Sequence, residues 1–313
     1  MTNSTSSALR RLLLMGSVAT VSVVAAAPAG GERQAGAANP MTVFVSVTDR
    51  RHVPMDDLVA ADFLIKEDGK ERQVLSVGRA SRPLQVVVLV DDNGTGIFRY
   101  GLTGLAELLQ GRAELSLAAV TNQVQTIVDF TTSPGAWGQG IAQLGVRPGT
   151  PEGGQLIEGI YGAARRFRMR EATRPVIVAL TVGGDEQSQR LSSQVLDELW
   201  KSRAALYVVF AETIARPAKP INKPGDLLDG NFNLSKVIGD GPKESGGRRR
   251  DVLTAGLLYT EVQQVARDLL NQYEITYARP IERNQPARLQ VLVGRSGAEL
   301  TAPTRAPLTP TPR

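Results

Sequence analysis

The chain is predicted to fold as a doubly wound α/β domain with a mostly parallel sheet, flanked by a small antiparallel β unit. Three observations lead there. The run Leu84-Gln85-Val86-Val87-Val88-Leu89-Val90 is an apolar strand that stops in Asp91-Asp92-Asn93-Gly94-Thr95-Gly96. Such continuous apolarity implies burial on both faces, as in a central parallel strand. From Leu84 onward apolar strands alternate with helical stripes, which demands a parallel sheet covered on both sides. Ahead of it, residues 43–48 alternate with a period of two and an Asp-Gly hairpin follows, so that 41–80 reads as a small antiparallel unit.

The amino end has the layout of a secretory signal peptide over residues 1–27. Met1 to Ser7 is polar, Arg10-Arg11 is a positive n-region, Leu12 to Ala27 is apolar and small, and Ala25-Ala26-Ala27-Pro28-Ala29 offers small-residue cleavage sites. The apolar run of 16 residues falls short of the roughly 20 that span a bilayer, and no later stretch is long enough. The Arg pair leaves Sec and twin-arginine export both open. Residues 28–40, rich in Ala and Gly, read as a linker.

In the β unit, Val43, Val45 and Val47 alternate with Phe44, Ser46 and Thr48. Asp62 to Lys66 and Arg72 to Val77 are strands about the turn Glu67-Asp68-Gly69-Lys70, Asp-Gly being a strong hairpin signal. The main domain, 82–280, is expected to carry strands at 84–90, 113–120, 124–130, 175–182, 204–210 and 273–278. Thr121-Asn122-Gln123 separates the second and third without a helix, making an antiparallel edge hairpin. Leu156, Ile157, Ile160, Tyr161, Ala164 and Phe167 form one helical stripe; Leu191, Val195, Leu196, Leu199 and Trp200 a second; Val262, Val265, Ala266 and Leu269 a third. The stretch 215–251 reads as a long loop, functional or disordered. Residues 281–301 carry a strand, 287–294, expected to pair with the β unit, because both flanking segments need an edge partner. The Pro-rich tail 302–313 is expected to be disordered.

Composition excludes several functions. There is no cysteine, hence no disulfide, lipid-bearing thiol, thiolate metal site or cysteine nucleophile; the exported product, periplasmic or secreted, is expected to be soluble. Removing residues 1–27 takes Arg10 and Arg11 and no acid, so 34 basic against 31 acidic side chains leave a formal +3, too mild for nucleic acid. A hydrophobic content of 42% supports a real core.

The order of elements resembles the von Willebrand factor A-type domain, a Rossmann-like fold, and in particular a bacterial exported branch sometimes labelled acidobacterial. Four stretches carry the resemblance. Val47-Thr48-Asp49-Arg50-Arg51 with Leu58 to Lys70 is similar to that branch's opening pattern, V-x-D followed by L-x-x-x-D-F-x-x-x-E-D-G. Val86 to Thr95 is its first strand and loop. Gly153-Gly154-Gln155-Leu156-Ile157-Glu158-Gly159-Ile160-Tyr161 resembles its GG-T-x-L-x-x-A-I helix start, and Ala266 to Tyr277 its closing helix and strand.

The resemblance implies a metal-ion-dependent adhesion site, at which a divalent cation, usually Mg²⁺, completes its shell with a partner's carboxylate. Mg²⁺ wants six oxygens at about 2.1 Å. The family supplies Asp-x-Ser-x-Ser, a Thr from a second loop and an Asp after the fourth strand. Here Asp91, Asn93 and Thr95 fill the first motif, and Gln155 takes the Thr position, with Thr150 nearby. Val182, which cannot coordinate, takes the last acid's position; Asp185 could substitute only if its loop folds inward. The metal site is therefore expected to be degenerate, binding Mg²⁺ or another divalent cation weakly if at all. The plainer reading is a vestigial crevice of polar groups capping strand and helix ends.

Other site chemistries fit poorly. A receiver domain would need a Lys after the fifth strand, where Ala211-Glu212-Thr213 stands. Gly94-x-Gly96 lacks the third glycine of a dinucleotide loop. His52, the only histidine, sits in a turn, and no Gly-x-Ser-x-Gly elbow exists. Arg248-Arg249-Arg250, together with Asp92, are candidate partner contacts, since arginine suits anionic groups. The expected function is an exported, non-catalytic module that binds a protein or a surface polymer, without nucleic acid, at the carboxyl edge of the sheet. The rivals are an exported carboxylate-dependent hydrolase and a metal-independent interaction protein using the 215–251 loop.

Overall fold

A computed structural model describes residues 38–145, 154–211, 224–281 and 284–309. The leader, most of the linker, Thr150, Gly153, residues 212–223 and the last four residues lie outside them.

The chain opens with β1 (Ala38–Thr48), β2 (Phe63–Glu67), β3 (Lys70–Arg72) and β4 (Val74–Arg79). Residues 38–40, expected in the linker, already belong to β1. The α/β part then runs β5 (Leu84–Asp91), α1 (Arg99–Leu109), β6 (Ala113–Val120), β7 (Val124–Thr131), α2 (Pro134–Gln143), α3 (Leu156–Met169), β8 (Arg174–Thr181), α4 (Ser192–Ser202), β9 (Ala205–Phe210), α5 (Pro224–Ser245), β10 (Arg249–Asp251) and α6 (Leu258–Leu270). β11 (Tyr273–Pro280), β12 (Leu289–Val293) and β13 (Glu299–Thr301) close it.

Six strands form the central sheet in the order β10-β9-β8-β5-β6-β7. All are parallel except β7, which pairs antiparallel with β6 at one edge. β5 lies inside, where the winding reverses direction, as doubly wound folds require. Its side chains alternate between two cores. Val86, Val88 and Val90 join the core under α1, α2 and α6; Val87 and Leu89 join the one under α3, α4 and α5. Every residue of β8 is buried, which is why these strands read as unbroken apolar runs.

The flanking unit comprises two antiparallel sheets, β13-β1-β11-β4 and β12-β2-β3, sharing one core that includes Val43, Val45, Ile65, Tyr273, Ile275, Tyr277 and Val291. β12 pairs with β2, Val291 opposite Ile65. Strand β11 corrects an expectation: it leaves the central sheet and lies between β1 and β4. The reason is its pattern. Tyr273, Ile275, Tyr277 and Arg279 are buried while the residues between are half-buried, a period of two that suits a sheet covered on one face.

Two further expectations change. Most of the supposed loop 215–251 is helix α5 followed by β10. Its glycines and Pro242 lower helix propensity, but Leu234, Val237 and Ile238 pack into the core, and tertiary burial outweighs propensity. The tail is docked as far as Thr309. Ala306 is fully buried; its carbonyl accepts the Trp200 indole N–H at 2.7 Å, and its amide donates to the Ala287 carbonyl at 3.0 Å.

Candidate functional site

β5 delivers Asp91 and Asp92 to the carboxyl edge of the sheet, and both are buried. β8 runs alongside in register, Thr181 beside Asp91. The Thr181 hydroxyl donates to Asp91 Oδ2 at 2.7 Å, and the Val182 amide donates to the Asp91 carbonyl at 3.0 Å. On the other side the chain entering α3 is stitched down. Gly154 donates to the Asp185 carbonyl at 3.0 Å, Gln187 donates to the Gly154 carbonyl at 2.9 Å, and Gln155 donates to the Thr121 carbonyl at 3.1 Å. A Cβ on Gly154 would stand 2.8 Å from Asp91 Oδ1, so only glycine lets this segment close over the acid. Burial pushes the Asp91 carboxyl up to about 7; the Thr181 hydroxyl opposes this and the Asp92 charge adds to it.

The loop after β5 turns sharply, with Asn93, Gly94 and Gly96 all at positive φ. Asp92 Oδ1 accepts the Gly94 amide at 3.0 Å. Burial raises the Asp92 carboxyl, while loop amides favour its charged form. Asp92 also lines a cleft of about 390 Å³ with Gly94, Thr121, Gln125 and Gly145. The Thr95 hydroxyl donates to the Asp92 carbonyl at 2.9 Å, which closes the turn. The loop after β8 reaches the same place: a Cβ on Gly184 would lie 4.0 Å from Asn93 Nδ2.

The predicted residues thus separate. Asp91, Asn93 and Thr95 share one loop, and the backbone of Gly154-Gln155 and Gly184-Asp185 converges on it. The Asp185 side chain accepts from Asn231 Nδ2 of α5 at 3.5 Å. Gln155 precedes α3 without a side-chain cap hydrogen bond. Val182 is buried. A hard divalent cation needs several charged oxygens facing one point. Here the acid at the centre has one oxygen bonded to the Thr181 hydroxyl, and a Cβ on Gly154 would stand 2.8 Å from the other. Among the described residues no group of three or more Asp, Glu, His or Cys could hold a metal ion. The Thr95 hydroxyl is committed to the Asp92 carbonyl and Asp185 accepts from Asn231, among the described residues a donor set short of the free oxygens that Mg²⁺ wants.

Sequence reasoning missed Thr181 and Glu186. Glu186 is buried and accepts the Leu156 amide at 2.9 Å, the Ile157 amide at 3.4 Å and the Ser188 amide at 3.0 Å. It therefore caps α3 from a distant loop. Burial raises its carboxyl to about 8 against those amides, and the Asp91 charge raises it further. The one signal was a helix start lacking a Ser, Thr, Asp or Asn of its own.

The three arginines are held within the chain. Arg248 donates to Thr301 Oγ1 at 2.5 Å. Arg249 pairs with Asp251 at 2.7 Å, its guanidinium over the Phe210 ring. Arg250 bridges Glu261 at 2.9 Å and Asp268 at 2.7 Å.

No protein-family model matches the chain, and no curated protein does. Solved structures show similarities of fold. An aerotolerance-related membrane protein from Bacteroides fragilis with multiple mutations to serines has 15% identity and TM-score 0.42, over 59% of this chain and 98% of the other. A von Willebrand factor type A from Catenulispora acidiphila has 12% identity and TM-score 0.45, over 88% and 75%. The conserved hypothetical protein BatB from Bacteroides thetaiotaomicron has 12% identity and TM-score 0.42, over 59% and 98%. The class is set by the topology described above: a doubly wound α/β protein with a flanking antiparallel β unit.

Proposed function

We propose that this chain is an exported, non-catalytic binding module of the von Willebrand factor A type, which docks a protein or a surface polymer on the carboxyl-edge loops without a bound ion. One observation carries the reading. Three loops from distant parts of the sequence meet around Asp91, and their outward groups are the Asn93 amide, Thr95, Gly184 and Asp185. In open α/β sheets the crevice beyond the strand carboxyl ends is where ligands bind. With Asp91 sealed beneath, the surface on offer is hydrogen-bonding and weakly charged. It suits a peptide or polymer better than an ion.

Export is supported by the leader pattern of residues 1–27. Among the described residues no helix is long and apolar enough to cross a membrane. A non-catalytic role is supported by how the buried acids are used: Asp91 and Glu186 spend their oxygens on Thr181 and on amides at the start of α3.

The test has two arms. Calorimetric titration of Mg²⁺ and Mn²⁺ into the full chain is expected to give no saturable heat. Immobilised chain challenged with an envelope extract of its source is expected to retain a specific partner, and Asn93→Arg to lose it. Saturable ion binding that Asp91→Asn removes would overturn the ion-free reading. Partner retention unchanged in Asn93→Arg would move the working surface elsewhere.

A further inference from the structure

At the opposite, amino edge of the central sheet a second cavity opens, of about 90 Å³. Its walls come from β1, the starts of β8 and β9, the ends of α4 and α5, and the docked carboxyl-terminal segment. Four arginines line it: Arg82, Arg174, Arg203 and Arg305. Two of these are neutralised. Arg82 pairs with Glu274 at 2.6 Å. Arg305 pairs with Asp197 at 2.9 Å, stands 3.9 Å from Glu244, and lies over the Trp200 ring at 4.0 Å.

Arg174 and Arg203 form no ion pair with a carboxylate among the described residues. Arg174 is buried, and its guanidinium donates to the Leu269 carbonyl and, at 2.8 Å, to Gln272 Oε1. Arg203 donates to the Leu308 carbonyl at 2.5 Å. These acceptors are neutral, and the carbonyl end of α4 supplies only partial charge. A neighbouring guanidinium, Arg279, is paired with Glu67. Arg203 is exposed at the mouth of the cavity, whereas Arg174 is buried; a buried guanidinium without a paired carboxylate is costly, and an anion entering beside it relieves that cost. Consistent with an excess of positive charge, partial desolvation by its neighbours and the charges of Arg279 and Arg82 push the guanidinium of Arg203, although exposed, down.

We propose that this cavity binds an oxyanion, the carboxylate or phosphate head of a small molecule, gripped by Arg203 and Arg174 and flanked by Trp200 and Phe44. The cavity, about 90 Å³, has room for several water-sized groups, enough for a head group. The guanidinium fork matches both head groups. The aromatic wall would accept an apolar body on the open side. The site is independent of the carboxyl-edge loops.

The indole N–H of Trp200, fixed by its bond to Ala306, is the reporter. Its NMR resonance is followed in the full chain while inorganic phosphate or, separately, benzoate is added at constant ionic strength. A saturable shift is expected, weakened at least about tenfold in Arg203→Gln, as loss of a charge-assisted hydrogen bond implies. Arg249→Gln, outside the cavity, is expected to leave it unchanged. Saturation by phosphate alone assigns a phosphoryl ligand, by benzoate alone a carboxylate with an apolar body, and by both a site that reads the head only. A shift that never saturates, or one retained in Arg203→Gln, overturns the proposal. If Arg203→Gln fails to fold by circular dichroism, Arg203→Lys decides instead: it keeps a charge but loses the guanidinium fork, so weakened saturation is expected and undiminished saturation overturns the proposal.

Discussion

Asp91 ends the central strand in a place water barely reaches, and among the described residues Thr181 is the side chain that bonds it. An acid that holds its proton more tightly when folded than when unfolded costs nothing at low pH and destabilises as pH rises. The window runs from the unfolded value near 4 to about 7 for Asp91 and about 8 for Glu186. Asp91→Asn keeps an acceptor for Thr181 and removes the buried charge. Relative to the native chain it is expected to gain stability from pH 4 upward and to level off above pH 7, with a plateau on the order of 2–4 kcal/mol. Urea melts at several pH values measure this directly, and a difference that is flat with pH would count against a buried neutral acid. Gly154→Ala tests the lid over the same side chain. Its Cβ would stand 2.8 Å from Asp91 Oδ1, an overpacked contact expected to cost about 1–3 kcal/mol.

At the scale of elements, α3 begins without a local cap and borrows Glu186 from the loop after β8. The borrowing ties the loop to the helix, so both sides of the crevice keep a fixed spacing. Glu186→Ala orphans the amides of Leu156 and Ile157 and is expected to cost about 1–3 kcal/mol. Hydrogen exchange at those two amides should quicken well before exchange in β8. Glu186→Gln keeps an acceptor and is expected to restore most of the protection. α5 makes a complementary point. Its stripe of Leu234, Val237 and Ile238 was readable at helical spacing, yet the surrounding Gly, Pro and Lys masked it as a loop.

At the scale of the whole molecule, the flanking unit is fastened by a buried charge network and by the carboxyl-terminal segment. Glu67, fully buried, accepts from Arg72 at 3.0 Å, from the Tyr277 hydroxyl at 2.6 Å and from Arg279. Arg279 also donates to the Pro307 carbonyl at 2.8 Å. Glu67→Ala takes the carboxylate from two buried guanidinium groups, Arg72 and Arg279, and is expected to cost about 3–5 kcal/mol, seen as a lower Tm. Removing residues 303–313 takes the acceptor from the Trp200 indole and one wall from the arginine-lined cavity. That truncation is expected to cost more than about 2 kcal/mol and to shift tryptophan emission to the red. An unchanged spectrum would show that the segment does not shield Trp200.

The amino-acid order by itself determined the doubly wound sheet, the antiparallel edge hairpin and the acid at the end of the first central strand. Those features follow from local periodicity and from where apolar runs stop. The alternation Tyr273, Ile275, Tyr277 also stood in the sequence, but there it reads as a strand of the main domain, and only the structure placed β11 between β1 and β4. Tertiary structure alone decided what Asp91 faces, that a distant Glu186 caps α3, and which arginines are left without a carboxylate. Each of these is a contact between residues tens to hundreds of positions apart, and only the packing of separate elements sets whether a charge is buried, paired or left exposed.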